Sequence, residues 1–412
     1  MKSKHYFTFF KFIFQIIIFL GITENTIAQI YGCTDPLSQN FNPLAEINDG
    51  SCTYVSASIS NINSISLSDS LNESSGLIQW NGGIWSHNDN DDNYLYAINP
   101  NSGTVDSTIL ISGVFNDDWE EISQDVNYIY LGDFGNNSHG NRTDLHILRI
   151  LKSGLPYDLQ IDTIYFHYPE QTDFSNQTNN SSNFDCESFI VSSDSIFLFT
   201  KRWGDKRTLL YGFPKVPGNY AAHLKDSFDI QGLITGATFL ENEKLVSICG
   251  YSSTLQPFVW LLYDFPGTNF FKGNKRKISL PLAYTQVEGI TTIDGLNYYA
   301  SNEYFINGPI VSPQRFHSFN LALFLEGYLT GNYAQINQIE KDQIAIYPNP
   351  SSGKITVQTD ANFIGHEFSI YQVNGKLIQN GILLGEKQEL ELIENGIYFL
   401  KWRGTFTKII VN

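Results

Sequence analysis

The chain has 412 residues, of which 42% are hydrophobic and 16% charged, and carries a net charge of -17. That length suits two or three domains, the apolar share excludes a wholly disordered chain, and the negative balance excludes nucleic acid, whose binders need a concentrated basic footprint. A single Met against 23 Tyr and 30 Phe, with Ile and Val in short runs, predicts an all-β protein with almost no long helix.

Residues 1–28 read as a signal peptide. Lys2 and Lys4 precede an apolar stretch from Phe7 to Leu20, and Thr26-Ile27-Ala28 places small residues where signal peptidase needs them, so cleavage is expected after Ala28. Lys11 and Gln15 interrupt the stretch, whereas a membrane span needs about 20 apolar residues. No later segment is long and apolar enough to span a bilayer, so the mature chain is expected to have no transmembrane segment.

Residues 29–54 form an Asn/Asp-rich module in which Cys33 and Cys52 bracket a turn-rich loop. In an oxidising compartment such a pair is expected to close a disulfide, worth roughly 3 kcal/mol in the chain-entropy model. Asp35, Asn40, Asn42, Asn48 and Asp49 are hard oxygen groups of the kind calcium prefers; without EF-hand spacing, turn capping is the favoured role. The string GCTDPLSQNFNPLAEINDGSCTY resembles a short module that recurs in secreted proteins of the Bacteroidota.

Residues 55–335 carry a repeat. Asp118-Trp119-Glu120-Glu121-Ile122, Asp185-Cys186-Glu187-Ser188-Phe189 and Gln286-Val287-Glu288-Gly289-Ile290 share an acid or amide, an apolar residue or Cys, a Glu, any residue and a large apolar residue. Ser74-Ser75-Gly76-Leu77 and Thr235-Gly236-Ala237-Thr238-Phe239 read as degenerate copies, the latter with Ala237 in place of the acid. Each copy leads into further alternating strands, such as NYIYLGDFGNN and SIFLFTKR. Four strands per unit predict a β-propeller of five or six blades, with SASISNINSISLS completing the last blade.

If the shared Glu lies on the innermost strand, Glu120, Glu187 and Glu288 converge on one channel. Carboxylates so gathered need a cation or raised pKa values, so calcium is the expected cofactor and Asp133 a fourth ligand. His87, Asp89, Asn136, Asn137, Asn302 and Glu303 are the channel-mouth candidates. The repeat style resembles that of calcium-dependent propellers such as the SMP-30-like lactonases and esterase-like phytases, which implies inner-strand acids on a metal. The competing role for each Glu is a strut to the adjacent blade, and for Trp80, Trp85, Trp119, Trp203 and Trp260 it is packing between blades. Lys201, Arg202, Lys206 and Arg207 read as surface loop or as channel-facing. Cys186 and Cys249 are either free thiols or a second disulfide. No Gly-x-Ser-x-Gly elbow, His-Glu-x-x-His or phosphate loop is present, which leaves nucleophilic hydrolysis and zinc proteolysis without support.

After a linker at 336–343, residues 344–412 alternate in short strands around Pro348-Asn349-Pro350, Asn374-Gly375 and Asn395-Gly396, the pattern of a small Ig-like β-sandwich. The strings YPNPSSGKITV, IYQVNGKLI and GIYFLKW resemble the type A C-terminal sorting domain of type IX secretion. That resemblance implies export, engagement of the type IX machinery, and a secreted or outer-surface protein. The propeller is then expected to bind an extracellular ligand, protein or glycan. The alternative is a metal-dependent hydrolase of lactone, ester or phosphate bonds.

Overall fold

Alternating runs between residues 57 and 320 pair into five antiparallel sheets, each of four strands taken outward from a central channel. A computed structural model describes residues 29–89, 92–331, 345–359, 364–373, 375–402 and 405–412; the expected signal peptide, the linker and Asn374 lie outside them. The chain divides into two compact units, Met1–Asn320 and Leu321–Asn412.

The inner strands of the first unit are Ser74–Trp80, Trp119–Gln124, Asp185–Val191, Leu233–Leu240 and Val287–Thr291. Each lies beside the next, and the fifth lies beside the first, which closes a five-bladed propeller. The outer strand of the fifth blade is Ile62–Ser66, from the N-terminal side, paired antiparallel with Arg315–Asn320 and with Ser64 opposite His317. The predicted ring-closing segment therefore does close the ring. Two clasps were not predicted: Gly218–Ala221 runs parallel to the outer strand of the second blade, and Ala57–Ser58 parallel to that of the fourth.

Burial follows position. The inner strand Asp185–Val191 is buried at every residue, whereas the outer strand Ile161–His167 alternates, as expected for strands covered on two faces and on one. Aromatic side chains fill the spaces between blades. Phe134, Phe166, Tyr168, Phe189 and Phe213 join the second blade to the third, and Phe197, Phe199, Phe258 and Phe270 join the third to the fourth. Each fully buried ring contributes about 1.5–3 kcal/mol of transfer free energy. Trp85, Trp119 and Trp260 belong to these layers. Cys186 and Cys249 are free and buried.

The N-terminal module closes through a Cys33–Cys52 disulfide. Its oxygen groups are spent on turns: Asp35 Oδ1 accepts the Leu37 N–H, Asn40 Oδ1 that of Thr53, Asn42 Oδ1 that of Leu44, Asn48 Oδ1 that of Gly50 and Asp49 Oδ1 that of Ser51. Asp35 also anchors the module to the fourth blade. Its Oδ2 accepts the hydroxyls of Tyr54 at 2.7 Å and Tyr263 at 2.5 Å, and its side chain is buried. Asn48 Nδ2 reaches Asn274 Oδ1 at 2.9 Å, and the Arg276 guanidinium lies 4.9 Å from the Tyr54 ring centroid. Asp35→Ala removes the acceptor that both tyrosine hydroxyls share, leaving the 3.1 Å bond between the two hydroxyls, and is expected to cost about 1–3 kcal/mol in urea unfolding; an unchanged midpoint would mean that the module hangs free of the blade.

The second unit begins with a helix, Ala322–Thr330, ended by Gly331 at φ 67°, a left-handed conformation suited to glycine. A three-stranded and a four-stranded sheet follow. Ile355, Val357, Phe368, Ile370, Tyr398, Leu400 and Trp402 fill a shared core, making a small β-sandwich.

Candidate functional site

Every inner strand carries a register shift against its neighbour near its start. The extra residues are Ser75 with Gly76, Glu120, Glu187, Thr235 and Glu288. A β-bulge re-aims a side chain, and here five bulges at equivalent places aim theirs around one ring. In the fourth blade Thr235 holds the position, not Ala237. The sequence alignment there was two residues late because no acid anchored it.

Ser75, Glu120, Glu187, Thr235 and Glu288 are followed by Gly76, Glu121, Ser188, Gly236 and Gly289, of which only Glu121 has a long side chain. Glu121 uses the room that the others leave. Its Oε1 accepts the Ile122 N–H at 3.0 Å, and its Oε2 accepts the Ala237 N–H at 2.7 Å, so its carboxylate spans from the second blade to the fourth. A Cβ on Gly76 would lie 2.0 Å from Glu121 Oε1, and one on Gly236 3.3 Å from Oε2.

At the mouth, a cup of about 270 Å³ is lined by six carboxylates, Glu73, Asp89, Glu120, Glu187, Glu288 and Glu303, and by one cation, Lys201. Lys201 pairs with Glu187 and lies 4.9 Å from the Trp203 ring centroid and 5.5 Å from that of Tyr251. Despite its burial, Lys201 is held charged by Glu187, Tyr251 and Glu288. Asp185 stands behind Glu187, accepting the Asn136 N–H and the Trp203 indole N–H, each at 2.8 Å.

Glu120 and Glu288 are each only 7% exposed. Among the described residues no donor is hydrogen-bonded to either carboxyl group. Burial pushes the Glu120 carboxyl well above the usual range, and the charges of Glu187, Asp118 and Asp185 add to it. Burial does the same to Glu288, with Lys201 opposing and Glu303 and Glu187 adding. Burial raises Glu303 to about 7, against the pull of Lys201. Carboxylate oxygens of Glu120, Asp185 and Glu187 lie within 4.8 Å of one another, as do those of Glu73, Asp89 and Glu303, spacings that oxygen ligands at 2.3–2.6 Å from one calcium ion can reach.

Of the residues expected at the channel from sequence, Glu120, Glu187, Glu288, Asp89, Asn137 and Glu303 line the cup. Asp133 does not. It sits on the second strand of its blade, is fully buried, and pairs with Arg142 at 2.7 Å while accepting the Asp117 N–H. His87 packs edge-on to Trp119 with centroids 6.0 Å apart, its Nδ1 3.0 Å from the Asn88 carbonyl. Asn136 braces Arg142 N and the Phe184 carbonyl, and Asn302 turns away to His317. Glu73, Asn180, Trp203, Tyr251 and Phe305 also line the cup and were not among the channel candidates. Glu73 precedes the first degenerate copy, where Glu73-Ser74-Ser75 aligns with Asp118-Trp119-Glu120, so extending that copy by one residue would have found it. Tyr251 ends a second strand and Trp203 lies in the turn just after one, and neither carries a signal of its own. Lys201 faces the channel, but as the partner of Glu187.

Residues 345–412 match the model of a secretion system C-terminal sorting domain. Solved structures similar to the chain include PorZ of Porphyromonas gingivalis, an essential surface component of the type-IX secretion system, at 11% identity and TM-score 0.33 over 82% of this chain and 45% of that one. A β-fructofuranosidase of Bombyx mori is similar at 11% identity and TM-score 0.36, covering 82% and 86%. A putative 6-phosphogluconolactonase of Bacteroides fragilis is similar at 8% identity and TM-score 0.30, covering 84% and 97%. This chain thus spans less than half the length of PorZ. No curated protein matches the chain. The sorting domain marks a secreted or outer-surface protein that engages the type IX secretion machinery, and no described helix is long and apolar enough to cross a membrane.

Proposed function

We propose that the exported propeller is a cation-dependent binding protein whose channel mouth takes calcium and, beside it, a group of an extracellular ligand. The observation that carries this reading is the pair Glu120 and Glu288, more than nine-tenths buried and aimed into the cup with no hydrogen-bond donor. Buried carboxyl groups without partners either stay protonated or hold a cation. Lys201 is already engaged by Glu187 and donates no hydrogen bond to Glu120 or Glu288.

Calorimetric titration of the whole chain with calcium chloride tests it. The wild type is expected to bind, and Glu120→Gln and Glu288→Gln each to weaken binding at least tenfold, about 1.4 kcal/mol, without unfolding. Absence of binding by the folded wild type removes the reading and leaves these residues as struts around the ring.

The cup holds about nine times the ~30 Å³ that a water molecule occupies in the liquid, so a coordinated ion leaves space next to it. That spare volume favours one alternative, metal-dependent hydrolysis of a lactone, ester or phosphate bond, with the ion polarising the substrate. Calcium-dependent turnover lost in Glu120→Gln would select it over simple binding.

A further inference from the structure

The fifth blade carries a second arrangement, opening on a separate groove and made of residues that do not line the cup. Ser64 Oγ lies 2.8 Å from His317 Nδ1, and His317 Nε2 lies 2.8 Å from Asn302 Oδ1. The three residues come from the outer, third and second strands of the sheet, and Ser64 reaches His317 because the ring-closing strand places them directly opposite. We propose that Ser64, His317 and Asn302 form a nucleophile, base and orienting group for hydrolysis of carboxylic esters.

The hydrogen bonds fix the protonation pattern that such chemistry needs. Asn302 Nδ2 donates to the carbonyls of Glu303 at 2.8 Å and Pro313 at 3.0 Å, so its Oδ1 is the atom facing the histidine. An oxygen there accepts from Nε2–H, which leaves Nδ1 as the bare nitrogen, able to accept only from the Ser64 hydroxyl. This is the tautomer in which imidazole acts as general base toward serine. His317 is almost fully buried and its pKa is lowered to about 4, first by that burial and then by the charge of Arg315, so the base is neutral at ordinary pH.

Space and charge for a substrate are present beside Ser64. A groove of about 610 Å³ takes in Ser64 and His317, with Leu282, Tyr284, Ile310 and Val311 as an apolar wall and Arg315 at the same face. Among the described residues no carboxylate pairs with Arg315, which leaves its guanidinium available to negative charge on a carbonyl oxygen. An ester with an apolar acyl group fits this lining. A strut that merely fixed the closing strand would need the same Ser64 to His317 bond, but neither the groove nor the free guanidinium.

The reaction runs in two halves. Ser64 Oγ attacks the carbonyl carbon while Nδ1 takes its proton; the bond to the alkoxide breaks, and the alcohol leaves with that proton. Water then attacks the acyl-serine, giving its proton to Nδ1, and the bond to Oγ breaks as Oγ recovers a proton. One ester and one water yield one acid and one alcohol. The reaction is independent of the cation cup and shares none of its lining residues.

The test treats the full chain with a fluorophosphonate probe and maps the adduct by peptide mass spectrometry, with p-nitrophenyl butyrate hydrolysis measured in parallel. The expected result is one adduct, on Ser64, and loss of both adduct and hydrolysis by roughly 100-fold or more in Ser64→Ala. Ser64 is only half-buried, so that variant is expected to fold. Absence of an adduct on wild-type Ser64 overturns the proposal, as does hydrolysis that Ser64→Ala leaves unchanged, and the wild-type map decides the matter even if the variant is unstable.

Discussion

Gly76→Ala is expected to destabilise the propeller by about 3 kcal/mol or more, at or above the top of the usual range for overpacking a core. The added Cβ would stand 2.0 Å from Glu121 Oε1 and 2.5 Å from the backbone nitrogen of Ile122. Rotation of the Glu121 side chain cannot relieve the first clash, because both its oxygens accept backbone N–H groups from opposite sides of the channel. The second clash is with backbone, which can move only by shifting the inner strand of the second blade. Gly154→Ala is the matched control, since the nearest atom to its Cβ would be 3.9 Å away and the change should stay within about 0.5 kcal/mol. Equal urea midpoints for the two variants would show that the channel axis is not packed as described.

The same channel shows what was legible in the sequence. The blade repeat was readable because the Glu at Glu120, Glu187 and Glu288 stands at one bulge, and a bulge fixes spacing within a strand. Where the bulge holds Ser75 or Thr235, the anchor is gone, and the fourth copy slid by two residues. Asp133 was misplaced for another reason: GDFGNN reads as a polar loop, and only the pairing of Asp133 with Arg142 shows that its charge is satisfied inside the blade. Ring closure by Ile62–Ser66 was foreseen from alternation alone. Its consequence was not, because Ser64 and His317 are 253 positions apart and no spacing rule links them. The parallel clasp of Gly218–Ala221 is similar, since strand propensity says nothing about which sheet an edge strand joins.

Without divalent cation, the stability of the propeller is expected to fall as pH rises from 6.5 to about 8, and calcium is expected to restore it, most strongly at the upper end. Four of the cup carboxyl groups have folded-state pKa values raised above the ordinary 4.5, each first by burial: Glu303 to about 7 and Glu187 to about 8, with Glu120 and Glu288 also raised. The fold therefore binds more protons than the unfolded chain above 4.5, and unfolding gains as pH climbs through the raised values, by about 1.4 kcal/mol per pH unit for each carboxyl group still protonated. Two other sets of groups act in the opposite direction. His87 and His317 are each lowered to about 4 by burial, so they make stability rise with pH between about 4 and 6.5. Lys277 is lowered to about 8, also by burial, so it makes stability rise with pH only above that. Between 6.5 and 8 those groups are silent, and the raised carboxyl groups that remain are those of the cup, Asp118 beside it and Glu121 on the channel axis, of which only the cup groups face a cation site. Melting temperatures measured across it with chelator and with excess calcium should diverge, and Glu120→Gln should flatten the chelator curve. Parallel curves would mean that calcium does not compete with protons for these carboxyl groups, and the channel mouth would then be a polar seal between blades.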